Sequence, residues 1–258
     1  MKKICIFNQK GGVGKTTTNI NLSCYLALEG FKVLIIDIDP QGNTTSGLGV
    51  DKSNLDFSLY DLFVDNKDIN SLIIESEIIK NLYIIPSSVE LAATEVELAN
   101  VNKREFILKN SLDKLNDKFD FIFIDCPPSL GFLTLNALVA SDSLIIPIQC
   151  EFYALEGLGQ LMHTVSLINS SLNKELYIEG VILSMYDSRA KLSNEIVREV
   201  KNFFGNKVFD TIIPRNIKLA ESPSYGLPIM LYDEKCKGAL SYKNLAKEFI
   251  YNQRRSGL

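Results

Sequence analysis

Short apolar runs rich in β-branched residues alternate with longer amphipathic segments along almost the whole chain. The apolar runs predict strands at Lys3–Asn8, Lys32–Asp37, Leu82–Ile85, Phe121–Asp125, Leu144–Ile148, Ile178–Ser184 and Val208–Ile213. The amphipathic segments predict helices at Lys15–Glu29, Glu90–Leu115, Gly131–Ala140, Ala154–Ser170, Leu192–Phe204 and Tyr242–Asn252. Strands that are apolar on both faces belong in a sheet that is covered on both sides. The alternation therefore predicts an α/β fold, a mostly parallel twisted sheet with helices on both faces, and we expect residues 1–258 to form one domain.

Composition narrows the functional classes that remain. The chain has 258 residues, of which 46% are hydrophobic and 22% are charged, as in ordinary globular proteins. Its apolar runs are far shorter than the roughly 18 residues that a membrane span needs. The five cysteines form no CxxC pair, and His163 is the only histidine. A disulfide scaffold, a zinc site and a Ser-His-Asp triad are therefore not supported, and we expect a cytoplasmic protein.

A glycine- and lysine-rich loop joins the first predicted strand to the first predicted helix. The eight residues of this loop are Lys10, Gly11, Gly12, Val13, Gly14, Lys15, Thr16 and Thr17. In such a loop the glycines let backbone N–H groups surround a phosphate, Lys15 supplies a positive charge, and Thr16 supplies a hydroxyl for Mg²⁺. The pattern departs from GxxxxGK[ST], because Gln9 stands at the first glycine position and Lys10 adds a second lysine. The loop predicts a P-loop nucleotide-binding protein.

Carboxylates follow two of the predicted strands. Asp37 and Asp39 end the second strand, and Asp125 ends the strand Phe121–Asp125. The carboxyl ends of parallel strands share one edge of the sheet, so we expect these groups to lie beside the phosphate loop. Asp125 is the expected support of Mg²⁺ through a water molecule, and Asp37 is a possible support. Asp39 is placed to orient or deprotonate a water molecule.

These motifs together resemble the deviant Walker motifs of the ParA/MinD family, and in particular the short, Soj-like partition ATPases. The resemblance rests on Lys10–Thr16, on Asp37–Asn43 and on Asp125–Ser129. It continues through Ile146–Glu151, Glu156–Leu158, Ile213–Asn216 and Ala220–Pro228, and so covers essentially the whole chain. It implies a P-loop ATPase that uses ATP and Mg²⁺.

The resemblance also implies roles for single residues. Lys10 matches the signature lysine, which in this family reaches the nucleotide of a partner subunit in an ATP-bound homodimer. Glu151 resembles the acidic residue that meets this lysine region. Met185 and Pro214 fall where the family packs against adenine. Asp39 matches the residue that positions the attacking water. A lysine supplied from the partner would neutralise charge that develops during phosphoryl transfer, as an arginine finger does.

Charge is distributed unevenly along the chain. Residues 1–184 carry 14 lysines and arginines against 23 acidic residues, whereas residues 185–258 carry 13 against 8. The resemblance places DNA-binding basic residues at Arg189 and Lys218, which both lie in this positively charged part. No sequence-reading motif is evident, so non-specific double-stranded DNA is the expected partner, with strong salt dependence. The family further implies a ParB-type centromere-binding protein and a nucleoid-associated location.

Three other functions are compatible with parts of the sequence. A MinD-like ATPase that positions cell division needs a terminal amphipathic helix with a cationic face, and residues 245–258 fit a helix packed on the domain better. Positioning of a protein cargo by a ParA-like ATPase would use the same motifs. A nitrogenase-iron-protein-like electron donor needs cluster cysteines, and neither Cys126 nor Cys150 matches that context. We therefore expect DNA partitioning, without membrane association.

Overall fold

The computed structural model describes residues 1–116, 118–152 and 154–255, without the side chains of 154–156. Its strands are β1 (Lys2–Ile6), β2 (Val33–Asp37), β3 (Ile74–Glu75), β4 (Leu82–Ile85), β5 (Phe121–Asp125), β6 (Ser143–Gln149) and β7 (Tyr177–Ser184). They form one sheet in the order β3-β4-β2-β5-β1-β6-β7. Every neighbouring pair is parallel except β3–β4. The predicted mostly parallel sheet is confirmed.

Helices lie on both faces of this sheet. They are α1 (Lys15–Leu28), α2 (Asn43–Gly47), α3 (Leu59–Val64), α4 (Thr94–Glu97), α5 (Ile107–Leu112), α6 (Phe132–Ala140), α7 (Ala154–Ser171), α8 (Lys191–Phe204), α9 (Ile217–Glu221), α10 (Ile229–Tyr232) and α11 (Lys237–Arg255). Alternate residues of β5 enter two separate cores, because side chains along a strand point to opposite faces. Ile122 and Ile124 join the core formed with α5 to α8, and Phe121 and Phe123 join the core formed with α1 and α11.

The predicted helix Glu90–Leu115 is wrong. The segment contains a 3₁₀ turn at Val89–Ala93, then α4, a second 3₁₀ turn at Arg104–Phe106, and α5. Lys103 adopts a left-handed φ of +57°, which ends helical geometry. The side-chain amide of Asn136 stabilises the break, because it accepts from the N–H of Leu108 and donates to the carbonyl of Arg104, each at 3.1 Å.

The predicted strand Val208–Ile213 is also wrong. This segment forms no continuous ladder with β7: Val208 bridges Val181, the N–H groups of Phe209 and Ile213 donate to the carbonyls of Val181 and Leu183 at 2.9 and 2.8 Å, and a second bridge joins Pro214 to Tyr186 beyond the end of β7. Between the bridges, the N–H groups of Asp210 and Thr211 donate to the carboxylate of Glu248 on α11, at 2.6 and 2.9 Å. The Glu248 carboxylate therefore accepts hydrogen bonds from backbone N–H groups in the middle of the segment, and this interrupts strand pairing there. The other predicted strands and helices overlap observed ones, whereas β3, α2, α3, α9 and α10 were not predicted.

Candidate nucleotide and magnesium site

The phosphate loop leaves β1 and ends at Lys15, where α1 begins. Gly12 and Gly14 have φ angles of +74° and +94°, a left-handed region in which a side chain would strain the backbone. Lys15 is buried, and its ammonium group donates a hydrogen bond to the carbonyl oxygen of Lys10 at 3.3 Å. The loop thus keeps a positive charge at the amino end of a helix, where anions bind favourably.

The carboxylate of Asp125 lies beside this loop with only one of its oxygens satisfied. The hydroxyls of Thr16 and Thr44 both donate to its Oδ2, each at 2.7 Å. Its Oδ1 is buried and has no hydrogen-bond partner. Burial raises the pKa of Asp125 to about 6, although the two hydroxyls act in the opposite direction. A buried carboxylate oxygen with a free acceptor site fits a water molecule bound to Mg²⁺, and hydroxyl and carboxylate oxygens are ligands that suit this ion.

Asp37 lies directly beside Asp125, on the neighbouring strand of the sheet. Register pairs the two residues at the ends of β2 and β5, and both are buried. Burial, followed by the negative charge of Asp125, raises the pKa of Asp37 to about 8. The N–H and the hydroxyl of Thr45 donate to its Oδ2, at 2.8 and 2.7 Å. Two adjacent buried carboxylates are costly unless a cation or hydrogen-bond donors compensate them, which favours bound Mg²⁺ at this edge.

Asp39 is half-buried and sits in the turn that follows β2. Its carbonyl accepts the turn hydrogen bond from the N–H of Gly42 at 2.8 Å, and its carboxylate Oδ1 accepts from the N–H of Gln41 at 3.0 Å. Its own N–H donates to Asp37 Oδ1 at 3.3 Å. The side chain is therefore held at the sheet edge beside the carboxylates of Asp37 and Asp125, and Asp39 is partly open to solvent.

A cavity of about 560 Å³ opens next to the phosphate loop. Gly14 and Thr17 line it on the loop side, and Met185 and Pro214 line it further on. The rest of its wall is formed by Ser184, Ile213, Arg215, Asn216, Ile217, Leu219, Ala220 and Tyr242. This volume is in the range of small-molecule sites, and a mostly apolar wall suits a nucleoside base. The structure thus brings two residues of the phosphate loop, Gly14 and Thr17, to the same cavity as Met185 and Pro214, the two predicted adenine contacts.

Comparison with known proteins agrees with this geometry. A family model described as an AAA domain matches residues 1–178. The chain is 52% identical over 251 residues to the sporulation initiation inhibitor protein Soj of Bacillus subtilis, with 97% of this chain and 99% of that protein covered. It is 49% identical over 247 residues to the chromosome partitioning protein ParA of Myxococcus xanthus, with 96% and 87% covered.

The chain belongs to the Soj/ParA family. A solved structure with the same fold is cobyrinic acid a,c-diamide synthase from Mycobacterium smegmatis with a bound ATP analogue and magnesium. That chain is 32% identical, with a TM-score of 0.86, and the match covers 99% of this chain and 97% of that one. The family resemblance read from the three Walker-like motifs is therefore confirmed.

The family resemblance assigns two residues of this Soj/ParA chain, Lys10 and Glu151, to a dimer contact. Lys10 is half-buried and lines a small recess with Gln149 and Gly157. Glu151 is exposed just after β6. Within residues 1–116, 118–152 and 154–255, no hydrogen bond or ion pair joins Lys10 to Glu151. The two roles remain predictions about a pair of chains.

Of the two predicted DNA-binding residues, Arg189 lies in the loop between β7 and α8, and Lys218 lies on α9, directly after the loop that contains Pro214. The bridge between Tyr186 and Pro214 brings these loops together. Arg189 is exposed, and its guanidinium donates to both carboxylate oxygens of Asp187, at 3.0 and 2.8 Å, which holds the pKa of Asp187 at about 2. Lys218 Nζ lies 3.7 Å from a carboxylate oxygen of Glu221. Each cation therefore has an acidic neighbour, Asp187 in the same loop for Arg189 and Glu221 on the same helix for Lys218, which reduces the net positive charge.

Three hydroxyl residues of the site were missed by sequence reasoning. Thr44 binds Asp125, Thr45 binds Asp37, and the hydroxyl of Ser87 donates to the carbonyl of Asp39 at 2.5 Å. Thr44 and Thr45 directly follow the acidic motif, so their proximity in sequence was a usable signal. Ser87 follows β4, and nothing in its local sequence indicates that it contacts Asp39.

None of the helices within the described parts of the chain is long and apolar enough to cross a membrane. The apolar face of α11 packs instead on the sheet, where the ring of Phe249 meets those of Phe121 and Phe123 with centroids 5.3 and 6.1 Å apart. Most apolar residues of this helix are therefore buried within the fold, whereas Leu240 and Tyr251 are exposed.

Proposed function

We propose that this chain is a partition ATPase that binds Mg·ATP, dimerises around the nucleotide, and holds double-stranded DNA of any sequence until hydrolysis releases it. An ATPase role in partitioning is supported by its membership of the Soj/ParA family. The observation that carries the proposal is the sheet edge at which Lys15, Thr16 and the half-satisfied Asp125 meet. A magnesium-bound nucleotide requires a positive charge for its phosphates and oxygen ligands for the ion, and these three residues supply both.

Each residue of the site has a separate task in the proposed reaction. The loop N–H groups and Lys15 bind the phosphates, and Thr16 with Asp125 holds Mg²⁺, the latter through water. When bound, Mg²⁺ neutralises phosphate charge during transfer. Asp39 orients the attacking water. Met185 and Pro214 pack against the base in the cavity of about 560 Å³.

A second chain completes the proposed site. Lys10 reaches the nucleotide of the partner subunit, and Glu151 supports the lysine region of the contact. Dimerisation then depends on ATP, because the nucleotides lie inside the interface. We expect slow intrinsic turnover, which a ParB-type protein accelerates.

DNA binding follows from the basic character of residues 185–258 together with the exposure of Arg189 and the partial exposure of Lys218. A dimer doubles the number of phosphate contacts, so its DNA affinity rises steeply relative to that of a monomer. The carboxylates of Asp187 and Glu221 lie next to Arg189 and Lys218 and reduce the positive charge that these two residues offer to DNA. Binding is therefore expected to be weak above physiological salt.

The deciding experiment is binding to random-sequence duplex DNA at low salt, with Mg·ATP and with Mg·ADP. The Asp39→Ala protein is measured in parallel, because it is expected to bind ATP and to hydrolyse it far more slowly than wild type. We expect binding with ATP only, and this binding should disappear as salt rises. Absence of binding in both states, with ATP-dependent dimers present by light scattering, would refute the DNA assignment and favour a protein cargo or a membrane.

The basic residues are tested with a charge-matched pair of variants. Arg189→Ala/Lys218→Ala should weaken DNA binding and reduce the dependence of log affinity on log salt by about 1 for each phosphate that the protein no longer neutralises. The control Lys80→Ala/Lys114→Ala removes the same charge from exposed positions in the acidic part of the chain. Equal effects of the two double variants would mean that Arg189 and Lys218 are not the residues that bind DNA.

A further inference from the structure

Ser87 lies behind the turn that carries Asp39. It follows β4, which is the neighbour of β2 in the sheet, so the loops after these two strands run side by side. Ser87 is fully buried, and its hydroxyl donates to the carbonyl oxygen of Asp39 at 2.5 Å. A serine on one strand end thus holds the backbone of the residue proposed to orient water.

A second contact links Ser87 to the magnesium carboxylates. The N–H of Ser87 donates to the hydroxyl oxygen of Thr45 at 3.0 Å, and that hydroxyl donates to Asp37 at 2.7 Å. Asp37 in turn accepts from the N–H of Asp39 at 3.3 Å. Asp37, Thr45 and Ser87 are each fully buried. The contacts form a closed ring of four residues, which we call the Asp39 ring: Asp37, Thr45, Ser87 and Asp39.

The Asp39 ring and the turn that contains Asp39 restrain different aspects of its position. The hydrogen bond from Gly42 fixes the internal shape of the turn. The hydroxyl of Ser87 fixes the turn against β4, so it sets where Asp39 stands relative to the sheet edge. Asp39 is the partly exposed member of a ring whose other members are buried. A small rotation of its backbone would therefore move the carboxylate, while the rest of the ring stayed in the core.

We propose that Ser87 is a positioning residue for hydrolysis, which sets the place of Asp39 through its hydroxyl and is coupled to Asp37 through Thr45. The inference rests on the proposed role of Asp39 in orienting water. Ser87 itself contacts neither nucleotide nor water in the reaction. A misplacement of about 1 Å in a reacting group can reduce a rate by about 100-fold, so removal of this anchor should be visible in kcat.

The first test replaces Ser87 with alanine in the full chain and measures ATP hydrolysis with DNA present. We expect kcat to fall by about 10- to 100-fold, with KM for ATP and affinity for Mg·ADP within about twofold of wild type. Ser88→Ala is the matched control, because it removes the neighbouring hydroxyl, which accepts from Ser58 and does not touch the ring. A fall in kcat of the same size in Ser88→Ala, or an unchanged kcat in Ser87→Ala, would overturn the inference.

The second test separates positioning from a general loss of structure. Thr45→Ser keeps the ring hydroxyl and should retain near-normal kcat, whereas the isosteric Thr45→Val removes it and should lower kcat with little change in KM. Equal kcat values in these two variants would contradict the coupling through Thr45. Thermal unfolding of each variant with saturating Mg·ADP shows whether the protein is folded under the assay conditions.

A double variant shows whether Ser87 acts through Asp39. If it does, Ser87→Ala should lower the single-turnover rate of wild type but leave that of Asp39→Ala unchanged, since coupled residues are not additive. The same fold-loss in both backgrounds would refute action through Asp39. Full activity of Asp39→Ala alone would instead refute the proposed role of Asp39 itself, which keeps the two failures distinguishable.

Discussion

A buried ion pair at the start of β1 offers a sharp test of what holds β1 and the edge strand β7 to the last helix. Lys2 Nζ lies 2.6 Å from Glu179 Oε2 on β7 and donates to Gln253 Oε1 on α11 at 2.7 Å. Gln253 also donates to Glu179 Oε1 at 2.7 Å. Both charged side chains are only 10% exposed. We therefore predict that Lys2→Met leaves a buried, unpaired carboxylate.

The expected loss of stability follows from this burial. Removing one partner of a buried pair costs about 3–5 kcal/mol, and the remaining bond from Gln253 favours the lower end, about 3 kcal/mol. For a chain of this size the loss corresponds to a fall in Tm of about 6–12 °C. Urea unfolding at fixed nucleotide concentration measures it, because bound ligand shifts apparent stability. Lys3→Met is the matched control, since its partner Asp142 is 43% exposed and such pairs contribute about 0–1 kcal/mol.

Two further measurements would expose an error in this reasoning. Lys2→Met/Glu179→Gln should recover part of the lost stability, because no unpaired charge remains. Additive losses of the two single substitutions would contradict the ion-pair explanation.

The second measurement is the pH dependence of stability. Burial alone would raise the pKa of Glu179, but Lys2 and Gln253 outweigh it and lower the pKa. The pair therefore stabilises the protein above the ordinary glutamate pKa and stops doing so as pH falls. The difference in the free energy of unfolding between wild type and Lys2→Met should become smaller as pH falls into the acid range. A constant or growing difference would refute the role of the Lys2–Glu179 ion pair.

Three other predictions concern the backbone and the site. Gly226→Ala should lower the free energy of unfolding by about 1–3 kcal/mol, because φ is +65° and a Cβ would lie 2.8 Å from the Cα of Gly49; an unchanged Tm would contradict this. Thr44→Val should weaken Mg²⁺-dependent ADP binding by about 10-fold through the loss of a donor to Asp125, as titration calorimetry with and without Mg²⁺ would reveal. The raised pKa of Asp37, about 8, means that its ionisation destabilises the nucleotide-free fold as pH rises from about 4 through 8. Asp37→Asn should therefore show a smaller decline in stability between about pH 6 and about pH 9, and an equal decline would refute the shift.

Much of the site was predictable because its residues follow apolar strands in sequence. Asp37 and Asp125 each end a strand, and parallel pairing alone brings them into register. The Gly-Lys loop likewise needs only its position between β1 and α1. Local sequence is informative here because the geometry is set by where strands stop.

The remaining features depend on contacts between distant parts of the chain. Val208–Ile213 has the residues of a strand, but Glu248 takes two of its N–H groups from 37 and 38 residues away. The break within 90–115 is stabilised by Asn136 on another helix. Ser87 is a common residue whose role arises only because β4 pairs with β2. Such tertiary contacts override local preference and leave no local pattern.

The bridge between Tyr186 and Pro214 has a thermodynamic consequence. The two loops that it joins contain Met185 and Pro214, which line the cavity beside the phosphate loop; the predicted DNA-binding residue Arg189 lies in the first loop, and Lys218 follows the second loop on α9. Two ligands that bind the same pair of loops share one free-energy cycle. If ATP raises the affinity for DNA by a given factor, DNA must raise the affinity for ATP by that same factor. DNA would then act on this enzyme as an effector, raising its affinity for nucleotide by the same factor by which nucleotide raises its affinity for DNA.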